Sequence, residues 1–273
     1  MLFLGLDLAW GEGSARNQAA ETGVLALDAT GRVTAAGWTR GLAETLAWLD
    51  EVAHRDTLLF VDAPLVVDNL DGQRLCERHV GQRYWRWKVA AHSTNLSKSH
   101  LAGVTLLGLL VDRGWSYDDG RNGPSTSGRV VSECYPYTAI VGADELGYTV
   151  ERPRYKQKSP KGMRAAEWKP LRATTCDELI RRLGSLATAD PPLDLRSHPV
   201  TLELLDEPSP LDARRYKHRE DLIDAAVCAW SASLWHRHGF SRSQVLGLSG
   251  ASKPGYRLPT IIAPTRPEQR EGA

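Results

Sequence analysis

The chain of 273 residues has little sulfur, with four cysteines and two methionines. Cys76, Cys134, Cys176 and Cys228 are far apart and form no CxxC pair, which argues against a zinc knuckle or a redox dithiol. No stretch of about 20 apolar residues is present, so the sequence predicts no membrane-spanning helix. The start of the chain lacks the basic segment and the long apolar run of a signal peptide. These absences predict a cytoplasmic protein with reduced thiols and no membrane partner.

An excess of one charge is also lacking, because 34 Lys and Arg residues face 33 Asp and Glu residues. A nucleic-acid-binding surface must therefore be a local patch rather than a property of the whole molecule. The apolar share of 42% and the charged share of 25% are typical of a soluble globular protein. We expect a single domain over residues 1–263, followed by a disordered polar tail over residues 264–273.

The order of apolar segments predicts β-β-β-α-β over the first 65 residues, which indicates an α/β fold. Leu2–Trp10 is almost continuously apolar, and the segments 21–28 and 32–39 flank a short turn, as in a hairpin. Residues 42–54 have apolar side chains at helical spacing, and residues 57–64 form a second buried strand.

The second half of the chain predicts one long helix after an irregular region. Residues 151–217 contain many prolines and little periodicity, so we interpret them as an insertion that caps the core. Residues 218–236 have an apolar stripe at helical spacing. At about 100° per residue, Asp224 lies beside that stripe, which predicts that its carboxylate points towards the sheet. Asp221 lies one turn earlier, where an acid also stabilises the helix dipole without any further role.

Acidic residues stand where apolar residues are expected. Asp7 interrupts the first strand, Asp62 follows Leu58-Leu-Phe-Val, and Glu133 lies in a strand predicted over 129–137. A buried carboxylate is costly unless it is paired, hydrogen-bonded or bound to a metal. Each acid alone is also explained by structure, as in the turn formed by Asp62-Ala-Pro. Taken together with Asp224, they predict one site for Mg²⁺ or Mn²⁺, since hard dications prefer oxygen ligands.

Basic residues suggest where a nucleic acid would bind. Arg83 and Arg86 alternate with aromatic rings in Arg83-Tyr-Trp-Arg-Trp-Lys88, a pattern that holds a single strand by stacking and phosphate contacts. The alternative is a helix that packs its aromatic rings inward and leaves its cations in water. Lys156 and Lys217 lie in two further basic runs, and we predict that both contact substrate.

Four motifs together resemble the family called domain of unknown function 429, which is described as predicted nucleases with a ribonuclease H fold. They are Gly5-Leu-Asp7-Leu-Ala-Trp-Gly11, Val61-Asp62-Ala-Pro64, Glu133-Cys-Tyr-Pro136 and Asp221-Leu-Ile-Asp224-Ala-Ala-Val-Cys-Ala-Trp230. The resemblance extends over roughly residues 2–236. It implies a ribonuclease H-like, five-stranded mixed sheet with helices on both faces, in which the first three strands are antiparallel.

The resemblance also implies roles for individual acids. Asp7, Asp62 and Asp224 match the catalytic acids of the superfamily, and Asp221 matches a further metal ligand that its junction resolvases carry three residues earlier on the last helix. Glu133 does not correspond to a standard ligand of the well-studied nucleases, although its position in a strand favours a catalytic role. The predicted metal ligands are therefore Asp7, Asp62, Asp221 and Asp224, and Glu133 is a fourth catalytic candidate beside Asp7, Asp62 and Asp224.

The function that these features predict is a nuclease that hydrolyses phosphodiester bonds of RNA or DNA with Mg²⁺ or Mn²⁺. One alternative is an ATP-dependent kinase or ATPase of the actin-like superfamily, which shares this core and also begins with Gly-x-Asp. Such proteins need a glycine-rich phosphate loop, and only the stretch 247–255 approaches that composition. Another alternative is a non-catalytic relative that binds nucleic acid.

Overall fold

The computed structural model describes residues 1–11, 19–248 and 257–270. The strands are β1 (Leu2–Asp7), β2 (Glu21–Leu27), β3 (Val33–Arg40), β4 (Thr57–Val61), β5 (Ser116–Tyr117), β6 (Arg129–Glu133), β7 (Ser243–Leu246) and β8 (Ile261–Pro264). The α-helices are α1 (Gly41–Val52), α2 (Leu75–Tyr84), α3 (Ala102–Val111), α4 (Pro136–Gly142), α5 (Ala165–Ser185), α6 (Pro199–Asp206), α7 (Ala213–His238) and α8 (Pro267–Arg270). Short 3-10 helices cover Trp85–Trp87, Asp144–Leu146, Leu186–Thr188, Leu195–Ser197 and Gly239–Ser241.

The main sheet is mixed and has the strand order β3-β2-β1-β4-β6-β5. β2 pairs antiparallel with both β1 and β3, whereas β4, β6 and β5 continue the sheet in the direction of β1. The prediction of a mixed α/β fold is thus confirmed, but the predicted number of five strands was wrong. The sixth strand, β5, is a two-residue edge strand, which is too short to leave an alternating pattern in the sequence.

Helices cover both faces of this sheet. Successive residues of β1 point to opposite faces, so Phe3 packs with the core beside α7, whereas Leu4 and Leu6 pack with the core beside α1 and α3. Helix α7 is buried along most of its length, and the indoles of Trp230 and Trp235 are fully enclosed. From Leu222 to Trp235 the helix is apolar apart from Asp224 and two serines, as expected for a helix in the interior of a large domain.

Two glycines allow α7 to lie directly on the sheet. A Cβ atom at Gly5 of β1 would overlap the carbonyl oxygen of Ala225, and one at Gly23 of β2 would overlap that of Asp221. Glycine in a strand interior often marks such a close approach of another backbone. The contact fixes the height and rotation of α7, and with them the positions of the acids that the helix carries.

The remaining parts of the chain surround this core. The predicted insertion over 151–217 contains α5 and α6, together with two of the 3-10 helices and the first residues of α7. Among the described residues, no helix combines the length and the apolar character needed to cross a membrane.

The end of the chain differs from the predicted disordered tail over 264–273. Pro264 is the last residue of β8, and Arg266 is buried, where its guanidinium donates to the carbonyl of Val141 (2.6 Å) and to Asp144 (2.9 Å). The polar composition concealed this order because the partners of Arg266 lie more than a hundred residues earlier. Residues 271–273 lie outside the described part.

Substituting Gly5 by Ala should test the contact between β1 and α7. The added methyl group must displace the α7 backbone, and overpacking of this kind typically costs about 1–3 kcal/mol or more. Gly37→Ala is the matched control, because a Cβ atom there meets nothing within 4 Å. Denaturant unfolding should show a lower free energy of unfolding for Gly5→Ala, and a change in that free energy below about 1 kcal/mol for Gly37→Ala. Equal stabilities of the two variants would contradict the close contact.

Candidate functional site

Three carboxylates converge where α7 crosses the carboxyl ends of two neighbouring strands. β1 and β4 are parallel and in register at Leu6 and Val61, so Asp7 and Asp62 leave the sheet side by side. Asp224 reaches the same point from α7 and is fully buried. One oxygen atom from each of the three lies within 4.8 Å of the others. The structure thus brings together three of the four predicted metal ligands.

The insertion contributes a cation to this cluster. The ammonium group of Lys156 pairs with Oδ2 of Asp224 and lies 3.9 Å from Oδ2 of Asp62. The neighbouring Tyr155 donates a hydrogen bond from its hydroxyl to the other oxygen of Asp224. Lys156, which we predicted as a substrate contact, is therefore an internal partner of two candidate ligands in this structure.

The fourth predicted ligand, Asp221, lies one turn earlier on α7. Its carboxylate pairs with the ammonium group of Lys217, which also lies 3.0 Å from Oε1 of Glu220. Lys217 is more than half exposed, so it reaches over the acids from the solvent side. Across the cluster, Oδ2 of Asp7 is buried and has no hydrogen-bond partner among the described residues.

The acids perturb one another strongly. Burial raises the pKa of Asp62 well above its ordinary value, and the charges of Asp7 and Asp224 add to this effect, against the opposing influence of Lys156. Burial likewise raises the pKa values of Asp221 and Asp224, with a further contribution from Asp7. Burial opposes the charge of Lys156, but the surrounding carboxylates outweigh it and keep its pKa well above the ordinary value. An additional cation would relieve the remaining repulsion.

Glu133, the fourth predicted catalytic acid, is held in a separate buried ion pair. Both of its carboxylate oxygens accept hydrogen bonds from Arg74, at 2.7 and 2.8 Å, and one also accepts from the backbone N–H of Leu65 at 3.0 Å. Arg74 pairs at the same time with Glu77 at 2.8 Å. Because these bonds occupy both oxygens, Glu133 acts here as an anchor for the segment that follows Asp62.

A cleft of about 570 Å³ opens above the acids. Its lining combines Asp7, Asp62 and Asp221 with Lys156 and Lys217. Several aromatic rings and one further cation also line it, from Trp10, Tyr135, Tyr137 and Arg152. The arrangement suits a ligand that has both an anionic group and flat apolar rings.

The two predicted substrate contacts on the aromatic segment are not among the residues that line this cleft. Arg86 pairs with Glu268 at 3.3 Å, and the carbonyl of Arg83 accepts a hydrogen bond from Gln269, so both lie beside α8. The aromatic rings between them divide, since Trp87 is buried and Trp85 is exposed. That Arg83 and Arg86 bind substrate stays a prediction, and it concerns a surface separate from the cleft.

Sequence reasoning missed several groups that complete the site. Tyr155 stood beside a predicted residue, but nothing in the sequence indicated that its hydroxyl meets Asp224. Arg74 lies 59 residues before Glu133, and an ion pair at that separation leaves no local pattern. A buried strand acid such as Glu133 signals only that some partner is required.

The fold and site define an α/β protein that gathers acidic side chains from a mixed sheet and its central helix. A family model described as "Protein of unknown function (DUF429)" matches residues 5–243, and the chain belongs to this family. Searches of curated proteins and of solved structures found no match.

Replacing Arg74 by Met should show how much the buried ion pairs support the site. The substitution leaves the buried Glu133 and Glu77 without a cationic partner, and breaking a buried pair in this way typically costs about 3–5 kcal/mol. Arg113→Met is the control, because its pair with Asp50 is exposed and worth less than about 1 kcal/mol. Urea unfolding measures the free energy of unfolding of both variants. A loss for Arg74→Met as small as that of the control would refute the anchoring role.

Proposed function

We propose that this protein is a divalent-metal-dependent nuclease with a ribonuclease H-like fold, acting on RNA or DNA with Mg²⁺ or Mn²⁺. The observation that carries the proposal is the convergence of Asp7, Asp62 and Asp224, within 4.8 Å, beneath an open cleft. Carboxylates of this kind are the preferred ligands of hard dications that assist phosphodiester hydrolysis.

The sheet supports this choice of fold. The five strands β3-β2-β1-β4-β6 form a mixed sheet whose first three strands are antiparallel, as the family resemblance implies, and β5 is an addition at its edge. The acids also occupy the expected elements, on the first strand, after the fourth strand and on a late helix. Because a shared fold does not establish an activity, the chemistry of the site must carry the proposal.

The electrostatics of the cleft fit a divalent cation. Glu21 also lines the cleft, but it is not counted among the free acids here because Arg40 and His218 pair with it. Among the described residues in and beneath the cleft, the other carboxylates then outnumber the cations by two. The carboxylates belong to Asp7, Asp62, Glu220, Asp221 and Asp224, and the cations belong to Arg152, Lys156 and Lys217. The unpartnered oxygen of Asp7 and the ammonium group of Lys156 among the acids further indicate a place suited to positive charge.

Each group of the site has a distinct role in this proposal. Asp7, Asp62 and Asp224 hold the cation, with Asp221 as a further ligand, and Tyr155 fixes the carboxylate of Asp224 by its hydrogen bond. A divalent cation bound there supplies the positive charge that activates water and stabilises a leaving phosphodiester oxygen. Lys217 lies over the acids, where it binds a substrate phosphate.

Two groups act at a greater distance from the acids. Arg152 lies 4.3 Å above the ring of Tyr137, which leaves a cation and an aromatic ring together in the cleft for a nucleotide. Glu133 positions Asp62 indirectly, because its bond to the backbone of Leu65 holds the segment after β4.

The structure offers no specific support for the kinase alternative. The stretch 247–255 is the nearest candidate for a phosphate loop, but residues 249–255 lie outside the described part of the chain. The sequence as a whole contains no pair of adjacent glycines of the kind such a loop requires. A non-catalytic relative would bind the cation and nucleic acid without cleavage, so the experiment below separates it from the nuclease.

Cleavage of labelled RNA, DNA, hybrid and junction substrates tests the proposed activity. We expect the wild-type protein to cut at least one of them with Mg²⁺ or Mn²⁺ and to stop when EDTA removes the metal. Asp7→Asn and Asp62→Asn should each lower the rate at least about a hundredfold, because losing a ligand forfeits several kcal/mol of transition-state stabilisation. Asp50→Asn, on an exposed acid of α1, is the control and should cut normally.

Two results would count against the nuclease. Absence of cleavage across the whole panel, in a protein that still binds Mn²⁺, would favour the non-catalytic alternative. Full activity of Asp7→Asn would remove this carboxylate from the mechanism, since its amide is a much weaker metal ligand.

Lys156→Met should strengthen metal binding. In the wild-type protein the ammonium group pairs with Asp224, so a metal must compete with it for the same carboxylate. We expect Mn²⁺ to bind the variant about tenfold tighter or more, as measured by calorimetry, since each 1.4 kcal/mol of lost competition is worth a factor of ten. Lys161→Met is the control, because this exposed lysine lies on the same segment. Equal or weaker binding by Lys156→Met would show that Lys156 does not occupy the place of the cation.

A further inference from the structure

A second cavity, of about 660 Å³, lies against a different face of the first turns of α7. Lys217 and Asp221 line the cleft described above, whereas Arg214, His218 and Arg219 line this second cavity. Glu21 lines both, so the two spaces meet at the start of β2. The two spaces are therefore adjacent along this side of α7.

Two stacked rings line the cavity. The rings of Trp38 and His218 lie with their centroids 3.4 Å apart and their planes 15° from parallel. The indole N–H of Trp38 donates to the carbonyl of His218 at 2.7 Å, and Nδ1 of His218 lies 2.7 Å from Oε2 of Glu21. The His218 side chain is nevertheless 42% exposed. These bonds hold the stack in place while part of the imidazole remains free for a third ring.

Cations accompany the rings. Arg214 and Arg215 are exposed, and neither forms an ion pair within the described part of the chain. Arg219 is only 8% exposed, and its guanidinium donates to backbone carbonyls, including that of Leu204 at 2.6 Å, rather than to a carboxylate. Its Nε is buried and has no hydrogen-bond partner among the described residues. A buried donor without a protein partner is uncommon.

The side of the cavity formed by α6 carries acids. Glu203 on α6 and Glu207 just after it are exposed and face the cavity from that side. A simple anion such as sulfate would meet these carboxylates as well as the arginines. A ligand that has a phosphate at one end and a flat ring with amino groups at the other matches both walls and the stacked rings, and this is the chemistry of a nucleotide. The volume also lies within the range of small-molecule sites.

We propose that this cavity binds one nucleotide of a single-stranded nucleic acid whose backbone continues into the cleft of the acids. The base stacks on His218, and the phosphates that flank it lie against Arg214 and Arg215. Stacking on aromatic rings combined with cationic backbone contacts is a general means of holding single strands. The inference deepens the proposed nuclease function, because it assigns the substrate strand a path away from the metal site.

Fluorescence anisotropy with labelled single-stranded octanucleotides, RNA and DNA, tests the path directly. The titrations contain EDTA, so that binding is measured without cleavage. We expect the wild-type protein to bind at least one probe, and His218→Ala to bind it about tenfold more weakly, in line with the usual worth of one stacked base. Arg214→Glu with Arg215→Glu should weaken binding by a similar factor and reduce its dependence on salt.

Arg181→Glu is the matched control, because it reverses the charge of an exposed arginine on α5 that lines neither the second cavity nor the cleft. Circular dichroism checks that each variant is folded. If His218→Ala is unstable, the variant with both exposed arginines replaced still tests the proposal. Absence of binding by the wild-type protein, or unchanged binding by the arginine variant, would overturn the proposal. Binding that depends on His218 and Arg214, in a protein that cleaves nothing, would support this inference and refute the nuclease.

Discussion

Burial of negative charge at the crossing of α7 and the sheet is the constraint on which the other features of this molecule depend. Asp224 is fully enclosed, and Asp7 and Asp62 approach it from the ends of β1 and β4. Carboxylates at such distances destabilise a fold unless cations or hydrogen bonds compensate them. The chain supplies part of that compensation through Lys156 and Tyr155, which the insertion brings over the acids. The negative charge that these two residues leave uncompensated is the basis of the proposed cation site.

The surrounding architecture keeps these charges in fixed positions. Gly5 and Gly23 let α7 rest on β1 and β2, so a small change in either strand would move Asp221 and Asp224 together. On the other side of Asp62, the buried bonds between Arg74 and Glu133 hold the turn after β4. The apolar core packs around both contacts. A site on strand ends and a rigid helix is positioned more precisely than one on loops.

The elements that local patterns encode were predictable, and those that depend on distant partners were not. Asp7 and Asp62 interrupt apolar strands, and helical spacing places Asp224 beside the apolar stripe of its helix, so their convergence follows from the order of the elements. Glu133 gives the same local signal, but its partner Arg74 lies far away in the sequence, and the pair occupies the oxygens that the prediction assigned to catalysis. Arg266 escaped prediction for the same reason, whereas the edge strand β5 is too short to leave a periodic pattern. The fold class could thus be predicted, whereas the pairing of charges within the site required the structure.

Anomalous X-ray diffraction from crystals grown with Mn²⁺ is the most direct test of the central claim that the acids form a divalent-cation site. The account predicts an anomalous peak between the carboxylates of Asp7, Asp62 and Asp224, with the ammonium group of Lys156 moved away from Asp224. Crystals that show no peak at millimolar Mn²⁺, and in which Lys156 still pairs with Asp224, would contradict it. In that case the acids and the lysine would form a structural charge cluster rather than a metal centre.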